Sequence, residues 1–221
     1  MKRADLPIRL RRDNTHRAPR PSKSALMLTG LAAITLASCG GSEKSPVDTP
    51  PPVTNSGGAP GQKLAFAYFQ RCINPILLAS LQYVQNGVTT TSTCAAGGCH
   101  DEASGKGVAF RVVPAALPVD VTNAANTTSV IRASDMYKNF YSAQGQAIAA
   151  APDRSGIYSK PLLLNTEHAG GRNLLDELDI NARRIKYWIN NPAPAGQDEF
   201  SPATYAMFTP ADPNAGACNT Q

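Results

Sequence analysis

The chain lacks the signatures by which most soluble catalysts are read. Its 221 residues contain no G-x-S-x-G, no phosphate-binding glycine loop and no H-E-x-x-H. Nucleophile-elbow hydrolases, P-loop nucleotide enzymes and zinc peptidases are therefore excluded. Asp153 and Ser155 offer no triad spacing, so nothing argues for hydrolysis. Histidine is scarce, with only three in the chain. No internal repeat is present, and the apolar run from Ala25 to Ala37 is too short to span a bilayer stably.

What is present begins with export. Residues 1–23 carry eight of the 21 Lys and Arg but only two of the 16 Asp and Glu, and the apolar run follows them. A basic stretch, a short apolar stretch and small residues at the cut describe a secretory signal peptide over 1–38. Leu36-Ala37-Ser38-Cys39 resembles the lipobox of bacterial lipoproteins, which implies acylation of Cys39, cleavage before it and stable anchoring by several acyl chains. Gly40 after the cysteine favours the outer membrane by that family's sorting rule. Without residues 1–38 the balance becomes 13 Lys and Arg against 14 Asp and Glu, so the formal charge of +5 belongs to the leader. That balance gives no argument for a nucleic-acid partner.

Residues 39–62 are rich in Gly, Pro, Ser and Thr and read as a flexible tether. Residues 63–221 have the length of one domain. Within it, 63–81 reads as helical in its first half, with Pro75 resetting the backbone before Ile76-Leu77-Leu78. Asn86-Gly87 marks a turn between polar, Thr-rich flanks, predicting a small hairpin. Val108–Val113 reads as extended, Thr127–Tyr141 as a helix, and Ile180–Asn190 as a helix with Ile185, Trp188 and Ile189 on one face. Asp176, Glu177 and Asp179 fall where a solvated helix cap belongs. The fold class is mostly α, a small helical domain with long loops and a minor hairpin, of a kind that commonly needs a staple or a prosthetic group.

The chemistry concentrates in Cys94-Ala95-Ala96-Gly97-Gly98-Cys99-His100. A second cysteine followed at once by histidine marks covalently held haem in the form C-x-x-C-H. Here four residues separate the thiols, so two must loop outward, and Gly97 and Gly98 are suited to do so. With Cys39 lipidated, Cys72, Cys94, Cys99 and Cys218 remain, and three arrangements stay open. There could be two disulfides, haem on Cys94 and Cys99 with the leftover Cys72 and Cys218 paired, or zinc on Cys94, Cys99, His100 and His168. His100 is the candidate for one axial position on haem iron. His168 is the candidate for the other, with Met207 as alternative, while Met136 lies in an apolar helical stripe and reads as core. Trp188 reads as packing against the first helix or the cofactor's edge.

Four further pieces carry a family resemblance. Phe69-Gln70-Arg71-Cys72-Ile73-Asn74-Pro75-Ile76-Leu77 before the cysteines resembles the opening of planctomycete-type cytochrome c-like domains. Gly105-Lys106-Gly107-Val108-Ala109-Phe110 resembles their strand after the haem motif. Ser159-Lys160-Pro161-Leu162-Leu163-Leu164 with His168-Ala169-Gly170-Gly171, and Arg183-Arg184-Ile185-Lys186-Tyr187-Trp188-Ile189, resemble their later stretches. The pieces keep the family's order over 69–190. A long insertion before Cys94, the widened thiol spacing and the tail beyond 190 depart from it. The resemblance implies one covalent haem c, one-electron transfer and a redox partner protein in the cell envelope. The residue reading leaves a second function open, a haem-free, disulfide-stapled surface lipoprotein with a binding or structural role.

Overall fold

The computed structural model describes residues 62–85, 87–107 and 109–221. The expected signal peptide (1–38), Cys39 and all of the tether but Gln62 lie outside the described residues. The architecture is mixed and mostly helical. Among the described residues no helix is long and apolar enough to cross a membrane.

The spine is a continuous helical stretch made of α1 (Phe66–Tyr68), a π-helical turn (Phe69–Ile73) and α2 (Asn74–Leu78). Pro75 does not interrupt it. Proline at the start of α2 lacks only a donor that the preceding π turn already leaves out of the α-helical ladder. Leu64, Phe66, Tyr68, Phe69 and Ile73 are fully buried. Phe66 and Phe69 meet Phe140 at 5.4 and 5.5 Å, and Phe69 meets Trp188 at 5.5 Å. Such aromatic pairs contribute about 0.5–1.5 kcal/mol each beyond their burial. Trp188 also donates to the Ala65 carbonyl at 3.0 Å, so of its two expected roles it takes packing against the first helix.

A hairpin follows, β1 (Leu81–Gln85) against β2 (Val88–Ser92), with Gln85 opposite Val88 and Gly87 at φ +78° in the tight connection. Of the extended segment expected at 108–113, the described residues 109–113 form no strand. Only an isolated bridge pairs Val112 with Asp101. The single helix expected over 127–141 is two: α3 (Thr128–Arg132) and α4 (Asp135–Gln144). Ser134 breaks it by accepting the Tyr137 N–H and capping α4. Ile131, Met136 and Phe140 still face the core, and Met136 is 1% exposed. Next come α5 (Gly156–Leu162) and α6 (Ile180–Asn190). Asp179 caps α6 by accepting from the Asn181 and Ala182 N–H groups, and Ile185, Trp188 and Ile189 are buried as their spacing predicts.

The tail is packed rather than loose. A 3-10 turn (Pro202–Met207) leads into β3 (Phe208–Thr209), which pairs with β4 (Ala217–Cys218). Cys218 is bonded to Cys72, with the Cα atoms 6.0 Å apart and 146 residues between them in sequence. Arg71 donates to the Gly216 carbonyl beside this bond. Glu199 anchors the other end: its buried carboxylate accepts from Arg132 at 2.8 Å and from the Tyr137 hydroxyl at 2.8 Å. Burial pulls its pKa up, but these hydrogen bonds and the Arg132 charge outweigh that and hold it below the ordinary carboxylate value.

Candidate functional site

Seven segments enclose a cavity of about 670 Å³. That lies within the roughly 300–1,000 Å³ range of cofactor pockets. The end of α2, the hairpin, the 93–110 loop, Gln146 just after α4, α5, the 165–174 loop and α6 supply its walls, and Ile76, Leu77, Leu81, Ile157, Leu174 and Ile185 make much of it apolar. Cys94, Cys99, His100 and His168 all line it.

The cysteine segment is held by backbone. Ala95 donates to the Leu77 carbonyl at the end of α2, which fixes the entry to the loop. The His100 N–H bonds to the Cys94 carbonyl at 2.9 Å, closing the loop on itself, and Gly107 N–H bonds to the Cys99 carbonyl at 2.8 Å. Gly97 and Gly98 are exposed, and Gly98 also lines the cavity, so of the two only Gly97 lies clear of its wall. Neither is among the residues with positive φ, so the bulge forms without a left-handed turn at either. Both cysteines are unpaired and partly buried. Burial, with Cys99 adding to it, pushes the Cys94 thiol up to about 11, so it stays protonated at neutral pH.

His100 is seated against Phe110, whose ring centre lies 4.7 Å away and whose carbonyl faces His100 Nδ1 at 3.1 Å. A carbonyl only accepts, so Nδ1 carries the proton and Nε2 keeps its lone pair. A Cβ on Gly107 would overlap the His100 imidazole, so glycine is required there for close approach. The bridge between 101 and 112, with Val112 N–H on the His100 carbonyl at 2.7 Å, fixes the backbone behind the ring. Burial holds His100 below the ordinary imidazole range; the Phe110 carbonyl opposes this, and the charges of His168, Arg111 and Lys160 reinforce it. A neutral imidazole with a free Nε2 is a metal ligand in waiting.

His168 repeats this arrangement on the facing loop. Its Nδ1 lies 2.8 Å from the Gly171 carbonyl, and the Gly171 N–H returns a bond to the His168 carbonyl at 2.8 Å. Gly171, at φ +68°, sits where a Cβ would collide with the Val84 carbonyl of β1, and Arg172 bridges to Val84. Asn173 and Leu174 donate to the Pro161 carbonyl at the end of α5. The loop is thus pinned to both hairpin and helix. Its imidazole is nearly parallel to that of His100, at 11°, with ring centres 6.3 Å apart.

Met207 is not part of this site. It is buried at the end of its 3-10 turn and lines a separate depression with Tyr187, Asn190 and Pro192. Its loop context suggested an axial ligand; the turn directs it into core packing instead. The zinc arrangement does not assemble either: among the described residues no three His, Cys, Asp or Glu side chains form a group able to hold a metal ion. The seats that Gly107 and Phe110 provide for His100 are not evident from their residue types alone, although the Gly105-x-Gly107 pair a few residues after His100 signals a close approach. Compared with protein families, curated proteins and solved structures, the chain matches none.

Proposed function

We propose that this chain is an exported, lipid-anchored c-type cytochrome of the planctomycete-like kind, carrying one covalent haem and one electron at a time. The observation that carries the reading is the His100–His168 pair. A ligating imidazole nitrogen sits about 2 Å from its metal and about 1 Å from its own ring centre, so ligands on opposite sides of one metal place their rings about 6 Å apart. The pair stands at 6.3 Å, each ring with Nδ1 engaged by a carbonyl and Nε2 left over. Two protein ligands suffice because a porphyrin brings the other four nitrogens, so haem needs no larger cluster of metal-binding side chains.

Cys94 and Cys99 would hold the group. Each thiol would add across one vinyl, its sulfur to the carbon next to the ring and its hydrogen to the terminal carbon, an attachment that is redox-neutral. The apolar cavity walls lower the local dielectric and exclude water. Bound haem iron would supply the redox chemistry, accepting one electron from a donor protein and passing it to an acceptor. Two imidazoles favour a lower potential than imidazole with thioether. The leader, Cys39 and the tether supply export to the outer membrane and reach from it, on the strength of their sequence pattern. Nucleic acid is no part of this function.

The test is expression together with a cytochrome c maturation system. The expected result is a Soret band, a pyridine haemochrome spectrum and a haem-sized mass increment on the peptide containing residues 94–100. A colourless protein whose Cys94 and Cys99 are joined to each other would overturn the reading and leave the haem-free lipoprotein.

A further inference from the structure

One corner of the cavity is polar and lacks a partner. Gly156, at the start of α5, has no side chain, and two long polar ones converge on the space this leaves. The Gln146 side-chain oxygen lies 3.4 Å, and Lys160 Cε 3.8 Å, from the point where a Cβ on Gly156 would sit. Both residues line the cavity. Among the described residues neither side chain has a hydrogen-bond or acid partner: the ion pairs there are Arg132–Glu199, Lys138–Asp135 and Lys186–Glu177. Lys160 is exposed and stands at the rim of the cavity, one face of its side chain forming part of the wall. A cation and an amide that could be satisfied elsewhere are instead held where a carboxylate would complete them.

We propose that the Gln146–Gly156–Lys160 corner binds a carboxylate of the cavity's ligand. This deepens the haem reading and rests on it: the ligand is a porphyrin with free carboxylates, oriented by Lys160 so that its opposite, apolar edge meets Cys94 and Cys99. Gly156 keeps the corner open, and the Gln146 amide, turned about its terminal torsion so that the NH2 takes the place of the oxygen now facing the corner, donates the second hydrogen bond. Lys160 is a positioning residue here, acting on the cofactor's periphery and not on the iron.

Titration of the full chain carrying Cys94→Ala and Cys99→Ala, so that binding is reversible, separates this idea from the reading it rests on. The probes are haemin and haemin dimethyl ester, followed by the Soret band. Lys160→Met keeps the aliphatic stem and removes the charge. For an exposed pair the expected loss in haemin affinity is about two- to fivefold. The ester, which lacks the charge, should bind Lys160→Met as well as it binds the parent. Lys138→Met, whose lysine pairs with Asp135 outside the cavity, serves as control and should change neither affinity. If haemin binds but Lys160→Met weakens both probes equally, or neither, the carboxylate corner is refuted while the haem reading stands. If neither probe binds the parent, both fall.

Discussion

Replacing His168 by alanine tests the pairing of the two imidazoles directly. The substitution removes one partly buried hydrogen bond, Nδ1–H to the Gly171 carbonyl at 2.8 Å. That bond is worth about 1 kcal/mol, or roughly 2–4 °C in Tm for a domain of this size. The loop keeps its other ties, Gly171 N–H on the His168 carbonyl, Asn173 and Leu174 on Pro161, and the bridge from Arg172 to Val84. The fold should therefore survive, and haem should still attach through Cys94 and Cys99. What disappears is a strong-field ligand. The loaded wild type should be low-spin and six-coordinate, and His168→Ala high-spin, with carbon monoxide binding to the reduced form and millimolar imidazole restoring the low-spin spectrum. Met207→Ala is the matched comparison. It removes a buried side chain and should cost about 2–5 kcal/mol of stability without changing the spectrum. A low-spin spectrum that survives in His168→Ala, or changes in Met207→Ala, would refute the assignment.

Gly107→Ala should displace the His100 ring, because the added methyl overlaps the imidazole; haem should still attach through the thiols but lose its low-spin signature, which absorption spectra of the loaded variant check. Replacing Cys72 and Cys218 together by alanine should lower stability by about 4–5 kcal/mol, since the bond closes a loop of well over a hundred residues, and thermal unfolding should then begin about 10–20 °C earlier. Glu199 has a folded pKa below its ordinary value of 4.5, so the stability it contributes is complete above that value and is lost as pH falls through the lower, folded one. Glu199→Gln should cost about 2 kcal/mol at neutral pH, less than a fully buried pair because Arg132 is half exposed, and should flatten the fall of Tm below pH 4.5. Deleting Gly97 and Gly98 should leave haem loading intact in the same maturation system; a colourless product would show that the bulge itself is needed.

The legible parts of the fold were those specified locally. Ile180–Asn190 carries its own cap at Asp179 and its own apolar face, and Gly87 sets the hairpin without help from the rest of the chain. The break at Ser134 was harder, because the apolar stripe runs through it and only the capping bond to Tyr137 reveals two helices. Pro75 misled because a π turn, invisible to apolar periodicity, prepares its place. At the site, the residue types Cys94, Cys99, His100 and His168 were legible. Their convergence was not, since it depends on backbone ties between segments far apart in sequence, such as Val84 with Arg172 and Pro161 with Asn173. Met207 shows the converse: a loop sequence suits a ligand as well as it suits a core plug, and only the direction of the turn decides.

The widened cysteine spacing looks like a defect when residues are counted, and less so when hydrogen bonds are followed. In C-x-x-C-H the histidine N–H and the first cysteine's carbonyl stand four residues apart, the pair that one α-helical turn joins. Here the same two groups, His100 N–H and Cys94 C=O, are joined at 2.9 Å across six residues. The ends of the loop are therefore brought as close as a helical turn would bring them, and the surplus leaves through Gly97 and Gly98. Ala95 on Leu77 and Gly107 on Cys99 hold each end from outside the loop. What thioether attachment demands is a fixed separation of two sulfurs beside one imidazole, and backbone closure can meet that demand at more than one residue count. Glycine at 97 and 98 is not there for backbone strain, since neither has positive φ. Gly98 has no neighbour within 4 Å of a would-be Cβ, and Gly97 would meet only the Ser104 hydroxyl at 2.9 Å. The pair is an exposed spacer at the cavity's mouth, and the constraint falls on the residues that close the loop.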